Sequence, residues 1–379
     1  MIYKDYKGEP ISRLGMGAMR LPTKGDVGRG GPIDYERSAD IIDYALKHGI
    51  NYIDTAYVYG GSEEFLGSVI PKYDRSSFKI ASKYMSGANP DYKAVFEEQL
   101  RRLHTDYIDF YLMHGIMNEQ GVSDYIGRGC LEYFIEQKKA GRIKQLGFSS
   151  HAPIPVLKKM IESYDGWDFA QIQLNYLDWT MQDSKGQYEV LTEAGIPVIV
   201  MEPVRGGRLA SLSPAADALL KEAHPDWSIA SWAFRWLLRL DNVQVILSGM
   251  STMEQMVDNV ATFDNGGPLS DEDAAILEKA CDLFRNEINV PCTACRYCCD
   301  DCPMNIEIPE VLKVYNRMKL DGPMSIFGLF AINPGPKDCV GCGACAGHCP
   351  QHIDVPQIMA ELADQLNKMP PPPPMPPKP

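Results

Sequence analysis

The chain's eleven cysteines are placed very unevenly: only Cys130 lies in the first 280 residues, and the rest follow from Cys281. Cys292, Cys295, Cys298 and Cys302, with Pro303 directly behind, are answered by Cys339, Cys342, Cys345 and Cys349, with Pro350 behind. Each cysteine of the second run stands 47 residues after its counterpart, and Ile306-Glu307-Ile308-Pro309 returns as Ile353-Asp354-Val355-Pro356, so the segment is an internal duplication. Thiolates are soft ligands that suit iron–sulfur clusters and zinc. In the C-x2-C-x2-C-x3-C-P spacing, three neighbouring cysteines hold one cluster and the fourth reaches the other. Two [4Fe–4S] clusters are therefore expected, one on Cys292, Cys295, Cys298 and Cys349, the other on Cys339, Cys342, Cys345 and Cys302. Zinc in two C-x2-C knuckles is the competing reading, and two complete runs both ending in Cys-Pro favour clusters. Cys299 is left over and is expected to be a non-ligand.

A second group of residues could do acid–base chemistry. Asp54, Tyr59, Lys83 and His114 each fall at or just past the end of a short apolar run. A ketone that accepts a hydride develops negative charge on oxygen and needs a proton. Tyrosine can give one, but its ordinary pKa is about 10. A lysine cation alongside favours the phenolate. Asp54 would keep Lys83 charged and oriented, and His114 would hydrogen-bond the carbonyl oxygen. Singly, each has a plainer reading: Asp54 as a turn cap, Tyr59 and His114 as packing residues. It is the four together, at the ends of consecutive strands, that point to a site.

The elements that must position them alternate. Ile50–Asp54, Phe78–Ser82, Tyr107–Met113, Ile143–Phe148, Phe169–Gln173, Val198–Met201 and Val243–Leu247 read as buried strands, with one more near Leu14–Met19. They are short and almost continuously apolar, as parallel strands covered on both faces should be. Helical stripes lie between them, for example Ser38, Ile41, Ile42, Ala45 and Leu46, and Val95, Leu100 and Leu103. Gly49, Gly141 and Gly195 fit left-handed helix ends. Eight βα units point to an α/β fold, a (β/α)8 TIM barrel, with an open doubly wound sheet as the weaker choice. The expected division is a barrel over 1–267, a connecting helix within 268–290, a small mainly helical cluster domain over 291–368, and a proline-rich disordered tail over 369–379.

Here a resemblance becomes specific. Asp54-Thr55-Ala56-Tyr57-Val58-Tyr59-Gly60 with Ser62-Glu63, then Ala81-Ser82-Lys83 and Leu112-Met113-His114, resembles the signature of the aldo/keto reductases. Met16 to Pro22 and Pro291 to Cys298 are similar to the ferredoxin-fused members of that family, and the long linker between the cysteine runs resembles the helical dicluster ferredoxins. The resemblance implies Asp54, Tyr59, Lys83 and His114 as catalytic residues and NADP or NAD as cofactor. It carries nucleotide contacts onto Gly17, Met19, Arg20, Asp54, Ser149, Ser150, Gln171, Met201, Val204, Gly206, Gly249, Gln255, Asp258 and Asn259. Met201 stands where many members stack an aromatic ring on the nicotinamide. Gly249 and Gln255 stand where NADP-preferring members often carry basic residues, which puts the NADP preference in doubt; Arg205 and Arg208 could supply charge from another loop. The helix start after Gly249 suits a phosphate.

The formal charge of −13 argues against nucleic acid or an anionic membrane surface as partner. No signal peptide or membrane-spanning run is read, so a cytoplasmic location is expected. The first functional reading is an oxidoreductase that moves a hydride between a nicotinamide and a small carbonyl or alcohol, with the clusters relaying electrons to or from a redox protein partner. A hydride carries two electrons and a cluster one, so direct coupling needs a flavin or a radical-forming substrate between them; no flavin motif is present. The competing readings are an electron carrier that uses the barrel as a docking scaffold, and a reductase whose clusters are only structural.

Overall fold

A computed structural model of the chain describes residues 1–26, 31–181, 183–287, 290, 292, 297–320, 322–347, 349 and 353–369. The proline-rich tail from Pro370 and the cluster candidate Cys295 lie outside the described residues. The chain divides into two compact units, one of Met1–Ser211 with His224–Ala274, the other of Leu212–Ala223 with the chain from Ala275 onward.

The first unit is a closed barrel of eight parallel strands: β3 (Leu14–Gly17), β4 (Tyr52–Asp54), β5 (Lys79–Tyr84), β6 (Ile108–Ile116), β7 (Ile143–Ser150), β8 (Phe169–Gln173), β9 (Val198–Met201) and β10 (Val243–Ser248), with β10 closing back onto β3. Closure rules out the open sheet. The strand read to Met19 ends at Gly17, and Ala18–Arg20 form a single 3-10 turn that carries the chain off the rim. Gly49, Gly141 and Gly195 do adopt the left-handed backbone, with φ of 88°, 78° and 68°.

The near-continuous apolar runs have a structural cause: both faces are covered. Tyr52, Ala81, Phe110, Phe169, Ile199 and Val245 belong to a cluster filling the barrel interior. Their strand neighbours Ile53, Ile80, Tyr111, Ala170, Val200 and Ile246 belong to a second cluster, which packs under the helices. Strand side chains alternate faces, so this assignment sets the phase of every strand.

One element has no counterpart in the sequence reading. β1 (Tyr3–Tyr6) and β2 (Glu9–Ser12) pair antiparallel, with Lys7 and Gly8 at positive φ in the turn. Tyr6 and Ile11 join the interior cluster. The Tyr6 ring lies 5.4 Å from Phe110 and its hydroxyl donates to Asp168 O at 2.8 Å. The hairpin thus stoppers the N-terminal end of the barrel and leaves the other end for chemistry.

The second unit repeats itself. A short helix, Tyr297–Asp300, recurs 47 residues on as Ala344–Gly347, and the helix starting at Ile308 recurs as the one starting at Val355. Val311, Leu312, Met359 and Leu362 from the two longer helices share one core with Ile326 and Leu329 of the intervening 3-10 segment Pro323–Ala331. Among the described residues, no helix is long and apolar enough to cross a membrane.

The stopper gives a testable consequence. Tyr6→Ala should cost about 3–5 kcal/mol, the usual range for removing a buried aromatic ring, while leaving nucleotide affinity unchanged because the binding end is opposite. Denaturant unfolding alongside a nucleotide titration measures both; a loss below about 1 kcal/mol would show that the barrel end closes without it.

Candidate active site and cluster site

The interior phase, continued to the C-terminal ends of the strands, selects the residues that face the mouth. Asp54 follows Tyr52 by two, Lys83 follows Ala81, His114 follows Leu112, Gln171 follows Phe169, and Met201 follows Ile199. In β7 the register pairs Ser149 with Gln171 and so places Ser149 on the inward face. By the same rule Ser150 faces outward. Its hydroxyl lies 3.5 Å from Ile116 O and accepts from Ala152 N at 3.1 Å.

At the centre is Lys83. Its ammonium donates to Asp54 Oδ1 at 2.6 Å and Thr55 O at 2.7 Å, with the Tyr59 hydroxyl 3.4 Å away. The lysine side chain is fully buried and that of Asp54 is 4% exposed. Burial pulls the amine down, but Asp54 and Tyr59 outweigh it and hold Lys83 above its ordinary value. Burial, partly offset by Lys83, also leaves the Asp54 carboxyl above its ordinary value. Both directions keep a proton between the two groups. The far more basic amine holds it, so the pair is ammonium and carboxylate at neutral pH. Tyr59 is half-buried; the Lys83 ammonium lies 4.8 Å from its ring centroid, and its ring meets that of His114 edge-on at 5.8 Å. The Tyr125 hydroxyl lies 2.7 Å from His114 O and 3.1 Å from Tyr84 O, which ties the ends of β5 and β6 together.

On the facing side of the mouth, Gln171 is 2% exposed and its Oε1 has no hydrogen-bond partner among the described residues. Ser149 Oγ accepts from Gly115 N at 2.8 Å, leaving its own O–H beside the glutamine. An unsatisfied buried amide oxygen next to a free hydroxyl proton complements a carboxamide, so these residues fit a nicotinamide. Met201 is the inward residue at the end of β9.

The remaining nucleotide candidates gather where the loops after β3, β9 and β10 converge, beside Gly17 at the end of β3. Arg20 packs over Gly249, its Cβ 3.3 Å from where a side chain there would begin, and its guanidinium lies 3.4 Å from Glu202 Oε1. Met19, next to it, is half-buried. Gly207 N and Leu209 N both donate to Val204 O, in a turn that needs φ of 65° at Gly206 and 97° at Gly207. Arg205 pairs at 3.2 Å with the fully buried Asp178. Thr252 caps the helix Met253–Asn265, and Gln255 Oε1 accepts from Ser251 N at 2.8 Å, so that side chain braces the helix start. Asn259 is 5% exposed and donates to Ser248 Oγ at 3.0 Å, which turns its amide towards β10, whereas Asp258 stays partly exposed.

In the second unit, Cys302 of the first run lines the same cavity as Cys339, Cys342 and Cys345 of the second, together with Met304, Ile306, Val340 and Met359. Four sulfurs in an apolar shell fit an iron–sulfur cluster. Among the described residues no group of His, Cys, Asp or Glu closes tightly enough to hold a single metal ion. Of the other set, Cys292, Cys298 and Cys349 lie in or against the shared core. Burial, with the neighbouring thiols Cys299 and Cys292, pushes the Cys298 thiol up to about 12. Packing thiolates together this way is costly without a cation among them.

Sequence reading missed Gln99, fully buried behind Lys83 with its Nε2 3.2 Å from Lys83 O. Its signal was a polar residue on the apolar stripe of Val95, Phe96, Leu100 and Leu103.

This fold and mouth define a reductase-type TIM barrel. A model of the aldo/keto reductase family matches residues 13–282, and one described as a 4Fe-4S dicluster domain matches residues 291–353. The chain belongs to the aldo/keto reductase family and is an oxidoreductase with a dicluster domain at its C-terminus. It is 26% identical over 304 residues to the uncharacterised oxidoreductase YqkF of Bacillus subtilis, spanning 71% of this chain and 92% of that protein. It is 25% identical over 319 residues to the NADH-specific methylglyoxal reductase of Escherichia coli, spanning 71% and 94%. Among solved structures, a thermostable aldo-keto reductase in complex with the inhibitor epalrestat matches with a TM-score of 0.62 at 25% identity, over 74% of this chain and 100% of that one. The holo form of an aldo-keto reductase from Bacillus halodurans matches with 0.60 at 27%, over 74% and 96%.

The shared cavity gives a test of the crossed ligation. Anaerobically purified protein should hold about eight irons, and Cys302→Ser should lose about half while sparing the cluster of Cys292, Cys295, Cys298 and Cys349. Iron analysis with electron paramagnetic resonance of the reduced protein reads this. Damage confined to the cluster of Cys292 would overturn the assignment, and stoichiometric zinc in place of iron would overturn the clusters altogether.

Proposed function

We propose that the barrel moves a hydride between a nicotinamide nucleotide and a carbonyl or alcohol carbon, with Tyr59 exchanging the proton on the substrate oxygen. The observation that carries this is the fully buried Lys83 ammonium, held by Asp54 at 2.6 Å and 3.4 Å from the Tyr59 hydroxyl, at the open end of the barrel. The bound nicotinamide supplies or accepts the hydride. Tyr59 Oη gives its proton to the oxygen as charge develops there, and the Lys83 cation stabilises the phenolate left behind. Asp54 keeps that cation charged and aimed. His114, edge-on to Tyr59, orients the carbonyl oxygen between them. Gln171 and Ser149 would hold the carboxamide so that one ring face meets the substrate.

The basic groups around the expected nucleotide site support both nucleotides about equally. Arg20 and Arg205 already have acidic partners in Glu202 and Asp178, and Gln255 is engaged in bracing its helix. The name of the Escherichia coli relative, an NADH-specific reductase, is in line with a site that needs no 2′-phosphate. In the second unit the clusters, when bound, take up and release single electrons. We read them as a relay to or from a redox protein, coupled to the barrel through a substrate that can hold one electron.

Tyr59→Phe removes one oxygen and should leave the fold intact. Hydride transfer in a single turnover, with a simple aldehyde or quinone, should fall by about 10²–10⁴ while nucleotide affinity is unchanged. Calorimetric titration with NAD and NADP supplies the affinities. Near-normal hydride transfer in the variant sinks the tyrosine mechanism, and a preference for NADP above about a hundredfold, near 2.7 kcal/mol, shows that another cation binds the 2′-phosphate.

A further inference from the structure

Behind the Lys83–Tyr59 contact lies a second buried carboxylate that the chemistry above does not use. Glu63 is 1% exposed, on the helix Ser62–Val69 that begins just after the Tyr59 loop. Its Oε1 accepts from Ser82 Oγ at 2.6 Å and from Gln99 Nε2 at 2.7 Å, and its Oε2 from Arg102 Nη1 at 3.2 Å. Ser82 immediately precedes Lys83 on β5 and faces outward, as the strand phase requires. Gln99, from the helix Tyr92–Arg102, donates also to Lys83 O at 3.2 Å and accepts from the Tyr111 hydroxyl at 2.6 Å. The same Lys83 carbonyl receives the backbone N–H of Tyr57 at 3.3 Å, two residues before Tyr59.

We propose that Glu63 and Gln99 are positioning residues, a buried clamp that fixes the Tyr59 loop against the end of β5 and so sets the separation of the Lys83 ammonium from the Tyr59 hydroxyl. The loop is held at both ends. Thr55 receives the ammonium on its carbonyl, and its hydroxyl lies 2.8 Å from Ser62 Oγ. Glu63 then ties the start of the following helix to the strand bearing Lys83. The pull of a cation on a neighbouring hydroxyl falls with distance, and at 3.4 Å the contact is at the outer limit of a hydrogen bond, where a small lengthening breaks it. A small slide of the loop would therefore weaken it, with no change in the nucleotide site across the barrel mouth.

This inference rests on the proton-donor reading of Tyr59, and the test keeps the two apart. Gln99→Leu retains the volume and removes the amide; Ser82→Ala removes a single hydroxyl from the same clamp and carries the test if the first variant folds poorly. Ionisation of Tyr59 is read as the phenolate absorbance of each protein minus that of its Tyr59→Phe partner, across a pH titration. Gln99→Leu should leave Tyr59 roughly tenfold less ionised at a given pH, with Ser82→Ala moving it less in the same direction. Single-turnover hydride transfer should fall by about tenfold with nucleotide affinity within about twofold. A lowered melting temperature with the Tyr59 titration unchanged in both variants would show that the clamp is only structural and overturn the proposal. A parent protein in which Tyr59 makes no contribution to the titration would overturn the tyrosine–lysine reading itself, and the clamp's role with it.

Discussion

The burial of one ammonium group constrains the rest of the barrel. Taking a lysine cation out of water costs several kcal/mol even after relaxation, and it is tolerated only where partners satisfy it. Lys83 has three such partners, and none can be supplied by its own strand: Asp54 Oδ1 and Thr55 O come from β4 and the loop after it, and the Tyr59 hydroxyl comes from further along that loop. β4 and β5 must therefore pair in the observed register, Asp54 against Ala81, to bring the carboxylate to the ammonium. Two apolar side chains would serve stability as well or better. The retention of a buried ion pair at the open end of a barrel is a reason to look for chemistry there.

The barrel meets this demand through simple alternation. Once Tyr52, Ala81 and Leu112 face inward, Asp54, Lys83 and His114 must face inward two residues later. Tyr6 and Ile11 of the hairpin belong to the same interior cluster as Tyr52, Ala81 and Leu112, so the polar layer sits on an apolar floor. The second unit obeys a different logic. Its duplicated helices at Ile308 and Val355 build one small core, and the cysteine runs feeding those helices bring Cys302 to the cavity of Cys339, Cys342 and Cys345.

Much of this was legible in the sequence because the signals were strong. Strands covered on both faces are apolar at nearly every position, so β6 and β10 stand out. The same continuity hides their phase, so the spacing does not tell Ser149, which pairs with Gln171 and faces the mouth, from Ser150, which faces outward. Asn259 followed the family pattern, but its amide is bound to Ser248. The hairpin β1–β2 escaped because its strands are only four residues long and mostly exposed, which leaves little periodicity. Gln99 stands out only as a polar residue on an apolar stripe, and its bonds to Glu63, Ser82 and Lys83 have no signal in the spacing, since these partners lie on separate elements that only the closed barrel brings together.

In the mechanism proposed above, the buried cation, and not merely the shape of the mouth, drives proton exchange at Tyr59. Lys83→Met tests it most directly, since methionine keeps much of the side chain's reach and apolar stem but carries no charge. Single-turnover hydride transfer should be measured on the folded, nucleotide-bound variant at neutral pH. The rate should fall by at least about a hundredfold with nucleotide still bound; a rate within about threefold of the parent would show that the buried cation does not drive the proton exchange.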